Sequence, residues 1–361
     1  MKIGILTFHC AHNYGAVLQC FALQEYLKSL GHNVSVIDYR PRYLITPYKK
    51  HALFHWVSKS PVRFLFKLVT EPFLCLKRNK RWNAFNNFIK ENFSLVPYSC
   101  NKSYSDFDCV IYGSDQIWNT HITGDTLDIV YWGSQINCRK IAYAASAGNC
   151  DFHLVDTHLL SNYLRNFSAL SVRESDLISM LRPLTSRHIQ IVSDPVFLLT
   201  KSQWNNYCKP INIENPYLLC YNLNGSEDCS KQANIICKDK GYDRVDLVPN
   251  VGFFNNNTKQ CASPIDFISY FMHAQFVVTS SFHGTAFSIL FEKPFYTINM
   301  GGRKNRVTSL LSLLGIKDRY RENCKTDFNE YVDWTTVKVK KHQYVRNSRE
   351  YLNKNIQEKD D

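Results

Sequence analysis

The chain has 361 residues, 45% of them hydrophobic and 20% charged, with 14 Gly and 12 Pro. That is enough for about two domains with large cores, and too apolar for a disordered or low-complexity chain. The formal net charge is +12, yet twelve basic residues and one acid (Glu71) lie between Arg40 and Lys90, so nearly all of the excess belongs to one segment. Charge gathered in this way, with no recognition module beside it, argues against a nucleic-acid binder.

In chain order, Ile3 to Phe8 reads as a strand apolar on both faces, hence a buried parallel strand. A polar loop of small residues follows, and Ala16 to Leu30 has helical periodicity closed by Gly31. Val34 to Asp38 is a second strand, which completes a βαβ unit. Residues 41–96 interrupt the alternation and predict two or three helices outside the sheet. Strands are then expected at 107–112, 140–144, 169–173 and 190–192, with a helix over 153–165, and Asp194-Pro195 closes the first domain. A second set predicts strands at 217–221, 244–248, 276–279 and 295–298, and helices over 229–240, from Pro264, over 284–291 and over 305–314. The expected division is therefore 1–195, 196–335, and a last helix within 336–361 that returns to the first domain. Two open α/β domains place a cleft beyond the carboxyl ends of their strands.

Thirteen cysteines, odd in number and without a Cys-x-x-Cys pair, suit neither a disulfide framework nor structural zinc. The N-terminal apolar run is too short for a signal peptide, and no stretch approaches 18 uncharged apolar residues. A soluble cytoplasmic protein is expected, in which the sequon at Asn101 stays unused. No metal site emerges: His9, Cys10 and His12 lack remote partners.

Four constellations could carry chemistry. His9 to Ala16 (HCAHNYGA) runs from a strand end into a helix N-terminus, where backbone N–H groups favour an anion and Gly15 permits close approach; the alternative reading is a plain Asn13 cap with two exposed histidines. Gly113-Ser114-Asp115-Gln116-Ile117-Trp118 offers a hydroxyl, a carboxylate able to orient or deprotonate a hydroxyl, and an indole face for a sugar, or else only a capped turn. Thr279 to Ala286 (TSSFHGTA) puts His283 at a helix start. The helix dipole disfavours imidazolium there, and a bound phosphate would restore it, making the histidine a general acid. Gly301-Gly302-Arg303-Lys304-Asn305-Arg306 is a basic turn with two guanidiniums suited to phosphate or carboxylate.

Together these motifs, with Arg173-Glu174 and Asp194-Pro195 between them, resemble the polysaccharide pyruvyl transferase family over residues 1–315. The resemblance implies an α/β protein of two Rossmann-like domains in a GT-B-like arrangement, with the helical basic insert in the first. It also implies a phosphoenolpyruvate donor, no further cofactor, and a pyruvate ketal formed on a sugar of a bacterial cell-surface polysaccharide or its lipid-linked precursor. His283 and Asp115 would be catalytic. Ser281, Gly284, Thr285, Arg303 and Arg306 would meet the donor, and His12, Asn13, Gly15, Ser114, Trp118 and Arg173 the acceptor. One position departs: many members carry arginine two residues before the histidine, where this chain has Ser281. The alternative is a GT-B glycosyltransferase using a sugar nucleotide, for which Glu292 is the candidate to grip the ribose. The basic aromatic segment, residues 41–90, suits anionic lipid headgroups at the inner face of the membrane.

Overall fold

The computed structural model describes residues 1–48, 61–99, 104–150, 152, 155–252, 255 and 257–358, the side chains of 61–73 and of 303 excepted. Lys49, Lys50, Phe54, Trp56, Lys59 and the sequon at Asn101 lie outside the described residues.

Apolar runs such as Ile3-Gly4-Ile5-Leu6 must be covered on both faces, and parallel sheets wound with helices provide that cover. The first sheet is built from β1 (Lys2–Leu6), β2 (Asn33–Asp38), β3 (Leu95–Pro97), β4 (Cys109–Tyr112), β5 (Arg139–Ala145), β6 (Ala169–Val172) and β7 (Ile189–Ile191), in the order β3-β2-β1-β4-β5-β6-β7. The second contains β8 (Tyr217–Tyr221), β9 (Asp243–Leu247), β10 (Thr258–Lys259), β11 (Phe276–Thr279), β12 (Phe295–Ile298) and β13 (Tyr320–Arg321), in the order β10-β9-β8-β11-β12-β13. Neighbouring strands are parallel in both. Each sheet reverses its winding once, between β1 and β4 and between β8 and β11, and the crevice at such a switch point is where doubly wound folds bind ligands.

The helices are α1 (Tyr14–Ser29), α2 (Arg42–Ile45), α3 (Pro61–Asn92), α4 (Thr157–Arg165), α5 (Ser175–Leu181), α6 (Lys201–Asn205), α7 (Glu227–Lys240), α8 (Pro264–His273), α9 (Phe282–Phe291), α10 (Lys304–Leu314) and α11 (Trp334–Gln357). The described part of the insert holds two helices, the single turn α2 and α3 of 32 residues. Pro61 starts α3, a position where proline costs nothing.

Helix α1 is buried on nearly all sides, Gln19 and Gln24 included. One face lies on the first sheet, and α8 and the Pro195–Leu198 turn cover the other. One apolar cluster therefore runs from Ile3 and Ile5 through α1 to Phe267 and Phe287 of the second domain. A shared apolar core ties the domains more firmly than a polar interface would. Helix α11 packs on α10 and then on the first sheet, where Tyr351 donates to the Ala142 carbonyl at 2.9 Å and Tyr344 to that of Val192 at 2.8 Å. Among the described residues no helix is long and apolar enough to cross a membrane.

Candidate active site

The loops after β1, β4, β8, β11 and β12 converge between the domains on a cavity of about 240 Å³ lined by Asn13, Asp115, Ser281, Phe282, His283 and Arg306, among others. Asn13 caps α1, its Oδ1 accepting from Gly15 N at 2.9 Å and Ala16 N at 3.4 Å. The cap turns the chain so that the Gly15 backbone faces the second domain. There it meets His283: a methyl group at Gly15 would lie 2.0 Å from Nδ1 of the imidazole. Glycine is needed at that position because two domains touch through it.

On the other side, Ser281 caps α9 by accepting from Gly284 N at 3.4 Å, which sets His283 in the first helical turn. Gly284 lets α9 approach β11, since a Cβ there would come within 2.2 Å of Thr279 Oγ1. Thr285 is fully buried, bonded to the Ser281 carbonyl at 3.0 Å and to Thr297 Oγ1 at 2.6 Å. Gly284 and Thr285 therefore hold the helix in place behind His283.

Buried charge surrounds the histidine. Arg173 Nη1 donates to Asp194 Oδ2 at 2.5 Å, and Arg173 lies 3.9 Å from Asp115 Oδ1 and 4.0 Å from Glu174 Oε2. Among the described residues its Nε and Nη2 have no hydrogen-bond partner. Asp194 Oδ2 is also 3.4 Å from His283 Nε2. Burial alone would raise Asp194, but the facing His283 and Arg173 outweigh it and hold the carboxyl well below its ordinary range. Glu174 Oε1 is spent on Ser146 Oγ at 2.7 Å and the Ala147 and Gly148 amides. The Phe282 ring lies 4.6 Å from the Arg173 guanidinium and 5.7 Å from that of Arg306. Beyond Phe282 and Arg306 a second cavity of about 370 Å³ is lined by Arg173, Asp194, Lys317 and Tyr344.

Several expected ligand contacts are turned elsewhere. Trp118 is buried, stacked on Trp132 at 4.7 Å and donating to the Tyr131 carbonyl at 3.1 Å, so its face is not open to a sugar. Ser114 is also buried, its hydroxyl on the Ala144 carbonyl at 3.0 Å and its own carbonyl bonded by Thr7. His12 is enclosed by Trp82 and Phe85, at 4.5 and 5.1 Å between ring centroids. Burial, reinforced by Arg81, lowers its pKa to about 4, so it is a neutral packing residue. Arg173, expected toward the acceptor, is the hub of the buried charges. Of the basic turn, Arg306 is buried and lines both cavities; the Arg303 side chain lies outside the described residues. Glu292 ends α9 at the far side from the cavity and pairs with Lys201 at 3.8 Å and Lys338 at 3.0 Å.

Arg81 of α3 was indistinguishable in sequence from its basic neighbours. It is buried, and donates to Tyr14 Oη at 2.9 Å, to the Gln260 carbonyl at 3.1 Å and to that of His12 at 3.5 Å. It bolts the Asn13–Gly15 loop to both α3 and the second domain. No residue pattern announces such a role, because its partners are mostly backbone carbonyls distant in sequence. Among the described residues no group of three or more His, Cys, Asp or Glu could hold a metal ion.

Two Rossmann-like domains meet with their switch points facing each other across a histidine, carboxylates and buried arginines, a GT-B-like architecture. The family model of polysaccharide pyruvyl transferase matches residues 13–301, and the chain belongs to that family. It is an enzyme that transfers a pyruvyl group to a polysaccharide, with a small-molecule donor and a glycan as its partners in general terms. No curated protein is significantly similar in sequence. Among solved structures it is similar to UDP-GlcNAc 2-epimerase from Neisseria meningitidis bound to UDP-GlcNAc, at 10% identity and TM-score 0.45 over 99% of this chain and 95% of that one. Spinosyn forosaminyltransferase matches at 12% identity and TM-score 0.44 over 99% and 100%. An uncharacterised protein of Klebsiella pneumoniae matches at 14% identity and TM-score 0.41 over 73% and 100%.

Proposed function

We propose that the cleft takes phosphoenolpyruvate and two hydroxyls of one sugar residue, in a polysaccharide or its lipid-linked precursor, and joins them as a pyruvate ketal. The observation that carries this reading is the position of His283 against the Gly15 backbone of the facing domain, in a cavity that also holds Asp115 and Arg306. Protonated His283 delivers its proton to the methylene carbon of the donor, which leaves an oxocarbenium-like C2. A sugar hydroxyl adds to C2 and gives up its proton; Asp115 is suited to orient it. The second hydroxyl then displaces phosphate and closes the ketal. Two hydroxyl protons are released: one replaces the proton given to carbon and the other leaves with phosphate. Arg306 stands where it can supply the cation that Ser281 lacks, because both line the same cavity.

Phosphate release that requires both phosphoenolpyruvate and a lipid-linked sugar, with a pyruvate ketal in the product, is the expected result. Turnover only with a nucleotide sugar overturns it. Against that rival stands Glu292, engaged with lysines away from the cleft.

The described outer face of α3 exposes Leu76, Lys77, Lys80 and Lys90, whereas Phe85 is buried and Trp82 packs on His12. The membrane reading therefore rests on the lysines of this stretch and not on its aromatic rings. Cosedimentation with anionic vesicles that weakens with salt supports it; no binding at low salt ends it.

A further inference from the structure

Asp194 has no role in the steps above. It follows β7 where the chain leaves the first domain, and is 1% exposed. Its Oδ1 accepts from Val196 N at 3.1 Å, which fixes the carboxylate on its own turn. Oδ2 then takes Arg173 on one side and faces His283 Nε2 at 3.4 Å on the other. That nitrogen is fully enclosed and, among the described residues, makes no hydrogen bond in this structure; the Asp194 carboxylate is the charged group facing it. Nδ1, at the opposite corner of the ring, is directed at the Gly15 backbone and the entrance of α1. The imidazole is thus held between a carboxylate and a glycine whose lack of a side chain gives the ring its place.

We propose that Asp194 is a positioning residue for His283: it accepts the Nε2–H bond, so that Nδ1 is the nitrogen that gives and recovers the proton in the cleft. The inference rests on the reading that His283 is the general acid. During the reaction the Nδ1 proton goes to the methylene carbon of the donor, and the lone pair left on Nδ1 receives the proton of the attacking sugar hydroxyl. The Nε2 proton stays on nitrogen throughout, and Asp194 remains ionised. A distance of 3.4 Å is long for such a bond, and bonds of this kind commonly shorten when substrate closes the site.

Arg173 gives Asp194 a second possible purpose, simple neutralisation, so the test must separate the two. The charged groups around the ring are Asp194, Arg173, Glu174 and Asp115 from the first domain and Arg306 from α10, with the Tyr344 hydroxyl beside them. In Asp194→Asn the charge that favours imidazolium is lost. The high-pH limb of kcat moves to lower pH by a unit or more, and kcat falls by about 10²-fold or more, while KM for phosphoenolpyruvate changes less than threefold. A parallel loss confined to KM, or an unmoved limb, overturns the proposal.

Nitrogen-15 spectra of histidine-labelled wild-type protein, assigned by comparison with His283→Gln, give a readout that needs no active variant. Neutral His283 with its proton on Nε2 is expected; the proton on Nδ1 overturns the proposal even if Asp194→Asn does not fold. Full activity in His283→Gln would instead remove the reading beneath it, leaving the tautomer to decide the Asp194 contact separately.

Discussion

The two switch-point crevices have the same topology and opposite chemistry. In the first domain, most polar residues of the crevice are consumed by the protein itself, Asp115 on the cavity wall excepted. Ser114 bonds the Ala144 carbonyl, Asn13 caps α1, Glu174 holds the 146–148 turn, and Arg173 is closed on Asp194. In the second domain, one cap by Ser281 suffices to present His283 in the first turn of α9. The first crevice therefore acts as a shaped wall that offers backbone and buried charge, and the second supplies the group that moves a proton. The comparison shows that a polar motif at a strand end marks a crevice without saying which of its side chains remain available to a ligand.

Breaking the second crevice should have the largest effect. His283→Gln keeps a polar side chain of similar size and removes the proton carrier, so kcat is expected to fall 10²–10⁴-fold with little change in donor affinity, read by steady-state phosphate release. Next is the wall. Trp118→Ala empties the stack on Trp132 and should cost about 3–5 kcal/mol of unfolding free energy in denaturant titration, with KM for the acceptor unchanged. A selective rise in acceptor KM would return Trp118 to the ligand surface.

Gly15→Ala tests the line where wall and acid meet. The added methyl would overlap the imidazole, so the ring must move, and a displacement of about 1 Å can cost on the order of 10²-fold in kcat. Helical backbone at Gly15 adds no strain, but overpacking the contact between the domains should also cost about 1–3 kcal/mol of unfolding free energy.

The smallest effect concerns His12. Its pKa is about 4 in the fold against 6.5 ordinarily. Its contribution to stability is therefore complete above pH 6.5. It declines as pH falls toward 4, because the unfolded chain takes up a proton that the folded one refuses. His12→Gln should remove up to ~1.4 kcal/mol per pH unit from the slope of unfolding free energy in that interval.

Much of the fold was legible because parallel strands carry a strong local signal: 217–221, 276–279 and 295–298 are apolar runs bounded by polar turns, and their observed limits agree with the sequence. The edge strands β3, β10 and β13 were not legible, since two or three residues paired on one side leave no apolar run to detect. In the site, Asn13, Gly15, Asp115, Ser281, His283 and Arg306 all follow strand ends, and the structure gathers them around one cavity. Ser114, Trp118, His12 and Thr285 carry the same sequence signal, yet packing turns them away from it.

What the sequence determined by itself was the pair of βα repeats, the family, and the strand ends where chemistry could reside, because hydrophobic periodicity and motif order are local properties of the chain. Only the tertiary structure decided which side chains face the cleft, that Arg81 bolts the insert to both domains, and that Asp194 reaches His283. Those contacts join residues 67 to 179 positions apart, and whether a polar group is spent or free depends on partners that only folding brings within hydrogen-bond distance.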